Sequence, residues 1–233
     1  MLHFNSPKAG KTLHWSGLDN EDQFRKNIKD KSIRQYLSNN GWLDPYSITY
    51  KYNSQGFRSE EFTLQPAYVA LGCSFTEGVG LPLASTWPSL LAEKINHTVW
   101  NLGISGCSIN TCYRILEHYI DLLNIVGVCL LEPPDARIDV EVNGIWITVR
   151  QDNATDFYKS WAIDNKKVQE NRINTIELMK GICNKHNIGF YNFPSMGSGI
   201  PNDLARDMLH NGKLSHQSIS DKFKNIVEVT DKY

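Results

Sequence analysis

The feature that most constrains the fold is a short apolar segment, residues 67–71 (AYVAL), that leads directly into a turn. Pro66 and Gly72 flank this segment, a pattern typical of a buried β-strand. The residues that follow are compatible with a helix, so Ser74 is predicted to lie at a strand-to-helix turn. Backbone N–H groups are unpaired at the start of a helix, and the helix dipole favours negative charge there. Ser74 therefore occupies a suitable position for a nucleophile whose substrate develops an oxyanion.

Downstream of residue 66, predicted strands alternate with predicted helices. The strands cover residues 67–73, 98–102, 126–131 and 188–193, and the helices cover residues 85–95, 109–123, 155–185 and 215–227. This alternation predicts an α/β fold, a three-layer α/β/α sandwich with a mainly parallel central sheet. Sites in such sheets lie at the carboxyl ends of the strands. We therefore expect Ser74, Gly106 and the segment from Pro194 to reach one edge of the sheet.

Residues 137–149 interrupt this alternation. Two arms with alternating side chains flank Asn143-Gly144, the dipeptide that favours a type I′ turn. The segment is predicted to be a β-hairpin insertion.

The first 62 residues differ in composition from the rest of the chain. They are polar, with one helix predicted near residues 21–37 and one strand predicted at residues 47–53. They hold too few aliphatic residues to form a core of their own. We expect residues 1–62 to be an extension packed on a core domain of residues 63–233.

Charge and composition argue against several classes of protein. The 233 residues include 24 Lys and Arg and 25 Asp and Glu, and the formal net charge of −1 provides no field for binding nucleic acid. No apolar run approaches the roughly 20 residues of a membrane span, and residues 1–7 lack the apolar core of a signal peptide. We therefore expect a cytoplasmic protein without a membrane span or a nucleic-acid partner.

The five cysteines form no Cys-x-x-Cys pair, which argues against a disulfide framework or a zinc knuckle.

A second set of polar residues lies near residue 207. Asp207 precedes His210 by three residues, a spacing that lets the carboxylate accept a hydrogen bond from the imidazole and stabilise its charged form. Placed over Ser74, His210 would take the serine proton and pass it to the leaving group. A Gly-rich turn at residues 101–106 follows the second predicted strand, and there the Gly106 N–H is a candidate oxyanion donor.

Three sequence blocks resemble those of the SGNH (GDSL-like) hydrolases, a family of esterases and acylhydrolases. They are residues 72–78 (GCSFTEG), 101–106 (NLGISG) and 207–210 (DMLH), in the family's order and spacing, and the likeness covers roughly residues 66–226. Residues 52–58 (YNSQGFR) also look like the segment that precedes the first block in some members.

The resemblance implies a flavodoxin-like SGNH fold and an acyl-enzyme mechanism with no metal or organic cofactor. It also implies that Ser74 is the nucleophile, His210 the base and Asp207 the residue that orients the base. The backbone N–H groups of Ser74 and Gly106 would be the oxyanion donors.

Two positions depart from the family pattern. The first block usually reads Gly-Asp-Ser, and here Cys73 replaces an aspartate that is not the catalytic acid. The third block, Gly-x-Asn-Asp in the family, supplies an asparagine donor to the oxyanion, whereas residues 132–137 (EPPDAR) contain no asparagine. Loss of one donor costs about 10²–10³ in turnover. Asn110 and Arg137 are the candidate replacements.

Simpler roles compete with the catalytic ones. A serine at a strand-to-helix turn is often a helix N-cap, and Gly103 and Gly106 suit any tight turn. Asp207 and His210 would also suit a solvated pair that precedes the last helix.

Other residues compete for the same catalytic roles. His216 is a second candidate base, although the sequence favours a helix start here with Ser215 as its N-cap. Cys73 is a second candidate nucleophile, because thiol pKa values fall at helix N-termini. Glu132 and Asp135 form a candidate metal pair that lacks a histidine. Residues 202–203 (ND) are interpreted as a helix start rather than as a displaced third block.

The function that the sequence favours is a serine esterase. Its substrate would be a small-molecule or carbohydrate ester, such as an O-acetyl group on a sugar or a small acyl ester. Two alternatives remain open: a binding or structural protein that keeps the fold without turnover, and an acyltransferase that uses the same serine.

Overall fold

The computed structural model describes residues 6–150, 156, 164–195 and 199–230. Its strands are β1 (Thr12–Leu13), β2 (Tyr50–Lys51), β3 (Ala67–Gly72), β4 (Val99–Asn101), β5 (Ile125–Glu132), β6 (Ile138–Val142), β7 (Ile145–Val149) and β8 (Gly189–Pro194). Its helices are α1 (Glu21–Asn27), α2 (Lys31–Asn39), α3 (Ser74–Glu77), α4 (Trp87–Ile95), α5 (Ile109–Tyr119), α6 (Asn165–Lys185) and α7 (Lys213–Thr230), with a 3₁₀ turn at Leu83–Ser85. Of the helix predicted at residues 155–185, residues 155 and 157–163 lie outside the described part.

A four-stranded parallel sheet forms the centre of the fold. Its strand order is β4-β3-β5-β8, with β3 and β5 in the middle. Every residue of β3 is buried, and so are all but one in β5, as expected of strands that are covered on both faces. The prediction of an α/β fold around a mainly parallel sheet is confirmed.

Helices cover both faces of this sheet, which makes three layers. Val69 and Leu71 of β3 belong to an apolar core with residues of α5 and α6. Tyr68 and Ala70 belong to a second core, on the opposite face, with residues of α4 and α7. Since successive side chains of a strand point to opposite faces, a single strand contributes to both cores. Because the strands are parallel, the loops that follow them lie together at the carboxyl edge of the sheet.

The extension shares an apolar cluster with later parts of the chain. β1 and β2 pair antiparallel, and the cluster includes Leu37 and Trp42 together with Leu81 and Ala205 from later parts of the chain. The extension therefore completes its core with residues that flank the predicted site.

Two predicted elements of the extension differ in the structure. The helix expected at residues 21–37 is two helices, because the Asp30 carboxylate accepts the N–H groups of Ser32 and Ile33 and so begins α2. The strand expected at residues 47–53 is limited to β2.

The predicted hairpin is confirmed. β6 and β7 pair antiparallel from Ile138 opposite Val149 to Val142 opposite Ile145. Asn143 and Gly144 between them have φ of +52° and +79°, and a type I′ turn requires positive φ at both positions.

The last helix begins two residues earlier than predicted, at Lys213, so Ser215 is not its N-cap. The carboxylate of Asp203 accepts the N–H groups of Leu214 and Ser215 at 2.8 Å each. Asp203 lies in a non-helical segment, so the interpretation of residues 202–203 as a helix start is wrong, and Asp203 instead caps α7 from outside. Within the described part of the chain, none of the helices has the length and apolar composition that a bilayer crossing demands.

Candidate active site

A cavity of about 770 Å³ opens where β3, β4 and β5 end. Its lining residues come from the loops after these strands: Ser74 follows β3, Gly106 follows β4 and Pro134 follows β5. His210 reaches the same cavity from the segment before α7. Three of the predicted site residues are therefore brought together at the expected edge of the sheet. Residues 196–198, in the segment after β8, lie outside the described residues.

Ser74 is the first residue of α3, and only 8% of its surface is exposed. The N-cap position belongs to Cys73, whose side chain makes no capping bond, so Ser74 does not have the N-cap role. The turn requires glycine at position 72, where φ is +151°: a Cβ there would lie 2.2 Å from Thr76 Oγ1 and 2.6 Å from the Leu131 carbonyl oxygen. Gly72 thus permits the sharp exit from β3 that places Ser74 at the cavity.

Asp207 and His210 form a buried pair. Asp207 Oδ2 contacts His210 Nδ1, and Asp207 Oδ1 accepts the backbone N–H groups of Leu209 and His210 at 3.1 Å each. Asp207 is only 1% exposed, so the alternative of a solvated pair does not hold. A carboxylate at Nδ1 favours the tautomer that carries its proton there, which leaves Nε2 to accept a proton.

Ser74 and His210 line the same cavity, but no hydrogen bond joins them among the described residues. The ring of Phe75 packs edge-on against the His210 ring, with centroids 5.5 Å apart. Catalytic hydrogen bonds in unliganded sites are often long and tighten when substrate binds. The structure therefore places the two side chains on one cavity without joining them.

The loop after β4 packs tightly on α3. The Asn101 side chain accepts the Gly103 N–H at 2.9 Å and donates to the Thr76 carbonyl oxygen at 2.8 Å. A Cβ at Gly103 would lie 2.4 Å from the Glu77 nitrogen, so this approach requires glycine. Gly106, with φ of +77°, ends the loop at the cavity. Gly106 therefore has the turn role, Gly103 permits the close contact with α3, and together they bring Gly106 to the cavity.

Glu77 is a buried carboxylate between this loop and the extension. Its Oε2 accepts the Ser105 N–H at 2.7 Å and the Ser105 hydroxyl at 2.5 Å. Its Oε1 accepts Lys8 Nζ at 2.9 Å and the Tyr52 hydroxyl at 2.6 Å. Burial acts to raise the pKa of this carboxyl, but Lys8 and the hydrogen bonds lower the pKa more, so that it lies below its ordinary value. Glu77 is therefore an ionised link between the extension and the residue before Gly106.

No protein-family model matches the sequence, and no curated protein matches it either. Solved structures do match. They include a psychrotrophic esterase, EstA, from Pseudoalteromonas sp., at 16% identity and a TM-score of 0.42, with 72% of this chain and 99% of the esterase covered. A member of the lipolytic G-D-S-L family from Veillonella parvula matches at 15% identity and a TM-score of 0.38, with 70% and 98% covered. A carbohydrate acetylesterase family member from Sinorhizobium meliloti matches at 12% identity and a TM-score of 0.36, with 71% and 98% covered.

These similar structures are of the esterase type that the three sequence blocks resemble. Every one of these TM-scores is below 0.5. The fold assignment therefore depends on the strand order described above, and the roles of the site residues depend on their own geometry.

The two candidate replacements for the missing asparagine have different positions. Asn110 donates to Asn171 Oδ1 and Thr175 Oγ1, both at 3.2 Å, and so joins α5 to α6. Arg137 lines the cavity, and its Nη1 donates to the Cys107 carbonyl oxygen at 3.2 Å. Of the two, Arg137 is the one at the cavity.

The competing base and the competing nucleophile have other environments. His216 Nδ1 accepts the Trp87 N–H at 2.9 Å and so caps α4. Burial lowers the pKa of His216 to about 3, which keeps its ring neutral. Burial likewise raises the pKa of the Cys73 thiol, the opposite of what an activated cysteine needs.

Glu132 and Asp135 both lie beside the guanidinium group of Arg172. Glu132 accepts Arg172 Nε and Asn192 Nδ2, both at 2.5 Å, and Asp135 lies 3.6 Å from the same arginine. Over the part of the chain that the structure describes, no group of His, Cys, Asp and Glu side chains could hold a metal ion.

A buried ion pair with the extension holds the turn that carries Asp207. Arg206 donates to the Asp19 carboxylate from Nη2 at 2.7 Å and from Nε at 3.0 Å, and neither residue is more than 1% exposed. Asn27 of α1 donates to the Asp207 carbonyl oxygen at 3.1 Å. The extension therefore contributes to the geometry of the site.

Three of these supporting residues, Lys8, Glu77 and Arg206, were not predicted from the sequence. Glu77 lies inside the first block and Arg206 directly precedes the last. A charged residue at these two positions was the sequence signal that could have indicated a supporting ion pair. Lys8 gave no such signal, because it is 69 positions from its partner Glu77.

Proposed function

We propose that the protein is a serine esterase that hydrolyses a carboxylic ester through an acyl-enzyme on Ser74. The observation that best supports this is the buried Asp207–His210 pair, whose histidine lines the same cavity as Ser74 and Gly106. A hydroxyl, an imidazole oriented by a carboxylate, and N–H donors are the groups that this reaction needs.

In the first half of the reaction, His210 Nε2 accepts the Ser74 Oγ proton while Oγ attacks the carbonyl carbon. The backbone N–H groups of Ser74 and Gly106 stabilise the oxyanion that forms. The C–O bond to the alcohol then breaks, and the leaving oxygen takes the proton from His210. Asp207 holds the ring in place and stabilises its charged form.

In the second half, a water molecule gives a proton to His210 and attacks the acyl-enzyme. The ester bond to Ser74 Oγ breaks, the acid leaves, and Oγ regains its proton from His210. We propose an O-acetyl group on a carbohydrate, or a small acyl ester, as the substrate. Without the asparagine donor of the family pattern, we expect turnover about 10²–10³ below that of a site with the third donor.

A fluorophosphonate probe tests the nucleophile without depending on turnover of any one substrate. The probe forms a P–O bond with an activated serine and releases fluoride. We expect the wild-type protein to be labelled and Ser74→Ala to stay unlabelled. Ser38→Ala, an exposed serine on α2, is the matched control and should be labelled like the wild type.

Absence of labelling in wild-type protein that is folded by circular dichroism would contradict the proposal and favour the non-catalytic alternative. When labelling is found, release of acetate from p-nitrophenyl acetate and from O-acetylated sugars identifies the ester class. Formation of an acylated product that depends on an added alcohol acceptor would instead identify a transferase.

A further inference from the structure

A second cavity lies beside the one that Ser74 lines. It has a volume of about 820 Å³ and meets the first cavity at the loop after β4, since Ser105 and Gly106 line both. Its walls include the apolar side chains of Ile104 and Trp146. Its size is typical of ligand pockets, which are lined mainly by apolar and aromatic groups. A substrate whose ester lies at Ser74 can therefore extend past Gly106 into the second cavity.

The hairpin forms one wall of this cavity and is fixed to α5. Arg114 Nη2 of α5 lies 2.6 Å from Asp139 Oδ2 of β6, and the Asp139 side chain is only 1% exposed. The same carboxylate accepts the hydroxyl groups of Thr111 and Thr148 at 2.7 Å each. These bonds hold the wall in place without a ligand.

Trp146 contributes a flat ring to this wall. The Arg114 guanidinium carbon lies 4.2 Å from the centroid of the Trp146 ring, within the range of a cation–π contact. Among the described residues, no other cation or ring stacks on the indole, and 39% of Trp146 is exposed. The ring is therefore oriented by Arg114 and still accessible to a ligand.

The position of the second cavity indicates which half of an ester it would hold. In the proposed reaction the leaving oxygen takes its proton from His210, so the alcohol lies on the His210 side. His210 lines the first cavity but is not among the described residues that line the second. The second cavity begins instead at Gly106, the proposed donor to the carbonyl oxygen. The acyl group, the remaining substituent of the reacting carbon, is therefore the half that would extend into it.

We propose that the second cavity is an acyl pocket in which an aromatic ring of the substrate stacks on Trp146. This inference rests on the proposed esterase function, and of the substrates named there it selects the small acyl ester over the acetyl group. Aromatic pairs gain more than the burial of their area alone. Because the indole is already oriented, little side-chain entropy is lost when the ligand binds. The substrate class is an ester of a carboxylic acid that carries an aromatic ring.

Four esters test the proposal. Ethyl 3-phenylpropanoate and ethyl 3-cyclohexylpropanoate share a leaving group and differ only in whether the ring of the acyl group is aromatic. Ethyl acetate has no ring, and 2-phenylethyl acetate carries the aromatic ring on the alcohol instead. Titration of the released acid at constant pH gives kcat/KM for each ester.

We expect wild-type kcat/KM for ethyl 3-phenylpropanoate to exceed that for the cyclohexyl ester by about 3- to 10-fold, and ethyl acetate to be the slowest of the three ethyl esters. Trp146→Leu keeps an apolar side chain without a ring, so this preference should be lost, while kcat/KM for ethyl acetate changes by less than about 2-fold. Trp146→Phe should retain the preference. Ile147→Ala, an exposed change on the same strand, is the matched control and should leave all four rates unchanged.

Equal wild-type rates on the phenyl and cyclohexyl esters would overturn the proposal, and so would hydrolysis of ethyl 3-phenylpropanoate no faster than that of ethyl acetate. A loss in Trp146→Leu that is confined to 2-phenylethyl acetate would overturn it by placing the ring on the alcohol side, and an equal loss on all four esters would do so by removing the selectivity. Fluorophosphonate labelling of each variant separates these outcomes from failure of the esterase function. Labelled protein without the ring preference refutes only the acyl pocket, whereas unlabelled wild-type protein refutes the esterase.

Discussion

At the scale of single residues, Glu77 supports the proposed chemistry without taking part in it. Both the N–H and the hydroxyl of Ser105 donate to its Oε2, so the carboxylate fixes the peptide that precedes Gly106. Its other oxygen is bound by Lys8 of the extension. Glu77 is therefore a positioning residue for the proposed Gly106 donor.

Glu77→Gln is expected to lower kcat by about 10-fold with little change in KM, because an amide cannot accept all the bonds that the carboxylate accepts. The free energy of unfolding at pH 7 should fall by about 3 kcal/mol, since Lys8 loses its buried partner. Esterase kinetics and urea unfolding measure the two effects.

The acid dependence of stability provides a second readout of the same variant. The folded state lowers the pKa of Glu77 below its ordinary 4.5, so its ionised form stabilises the fold above that pH and this contribution is lost as pH falls through the lowered value. The unfolding free energy of Glu77→Gln should therefore depend less on pH below about 4.5. Glu93→Gln, an exposed change on α4, should alter neither readout. A Glu77 variant with normal kcat and reduced stability would show that the role is structural only.

The sequence predicted which residues meet at the cavity better than it predicted what holds them. Ser74, Gly106, Asp207 and His210 each belong to a local pattern, a strand end or a short spacing, that can be read from neighbouring residues. Glu77 and Lys8 are 69 positions apart in the sequence. No local pattern around Glu77 shows which distant charged residue will pair with it in the folded protein. The catalytic roles themselves stay predictions until labelling is measured.

At the scale of secondary-structure elements, the helix ends were the least predictable part. The hairpin was predicted because Asn143-Gly144 encodes its own turn. The start of α7 was not, because its capping group, Asp203, comes from outside the helix. The Trp87 N–H at the start of α4 likewise donates to a distant residue, His216. Helix starts of this kind depend on tertiary structure, which a scan for a local N-cap residue does not detect.

The cap of α4 predicts a pH dependence of stability. His216 is neutral in the folded protein because burial lowers its pKa from 6.5 to about 3, whereas the unfolded chain binds a proton below about pH 6.5. Its contribution to stability is therefore fully present above about pH 6.5 and is lost as pH falls towards 3. In His216→Asn, an amide oxygen can accept the Trp87 N–H without titrating, so the loss of stability between pH 6.5 and 4 should be smaller than in the wild type.

Urea unfolding at pH 7.5, 5.5 and 4.5 measures this difference. His216→Ala also removes the titration but leaves the Trp87 N–H without its acceptor, so it should cost about 1–3 kcal/mol at pH 7.5. If the Asn variant and the wild type lose stability in parallel as pH falls, His216 is not the group responsible.

At the scale of the whole molecule, the Asp19–Arg206 pair joins the extension to the turn that carries Asp207 and His210. The pair is bidentate and buried, and Arg206 also donates to the carbonyl oxygens of His14 and Pro45. The turn that carries Asp207 and His210 thus depends on residues that precede the first strand of the sheet. Its geometry is a property of the complete fold.

Asp19→Ala and Arg206→Met are each expected to lower the free energy of unfolding by about 3–5 kcal/mol. The first leaves the buried guanidinium without its carboxylate, and the second leaves the buried carboxylate without its guanidinium. The double variant should lose less than the sum of the two, since it leaves neither. Urea unfolding of the wild type, the two single variants and the double variant gives the coupling free energy between Asp19 and Arg206. Losses that simply add would show that the two residues do not stabilise the fold as a pair. The exposed pair Arg25–Glu21 on α1 is the control, and Glu21→Ala should cost less than about 1 kcal/mol.

The Asp19–Arg206 pair also determines when the site can form. The two residues are 187 positions apart, so at about 5–20 residues per second a ribosome makes Asp19 roughly 10 to 40 seconds before Arg206. During that interval the strands of the sheet are synthesised, but the turn that carries Asp207 and His210 does not yet exist. The proposed reaction could therefore begin only after the turn with Asp207 and His210 has been made. A nascent chain would carry Ser74, the proposed nucleophile, well before it has His210, the proposed base.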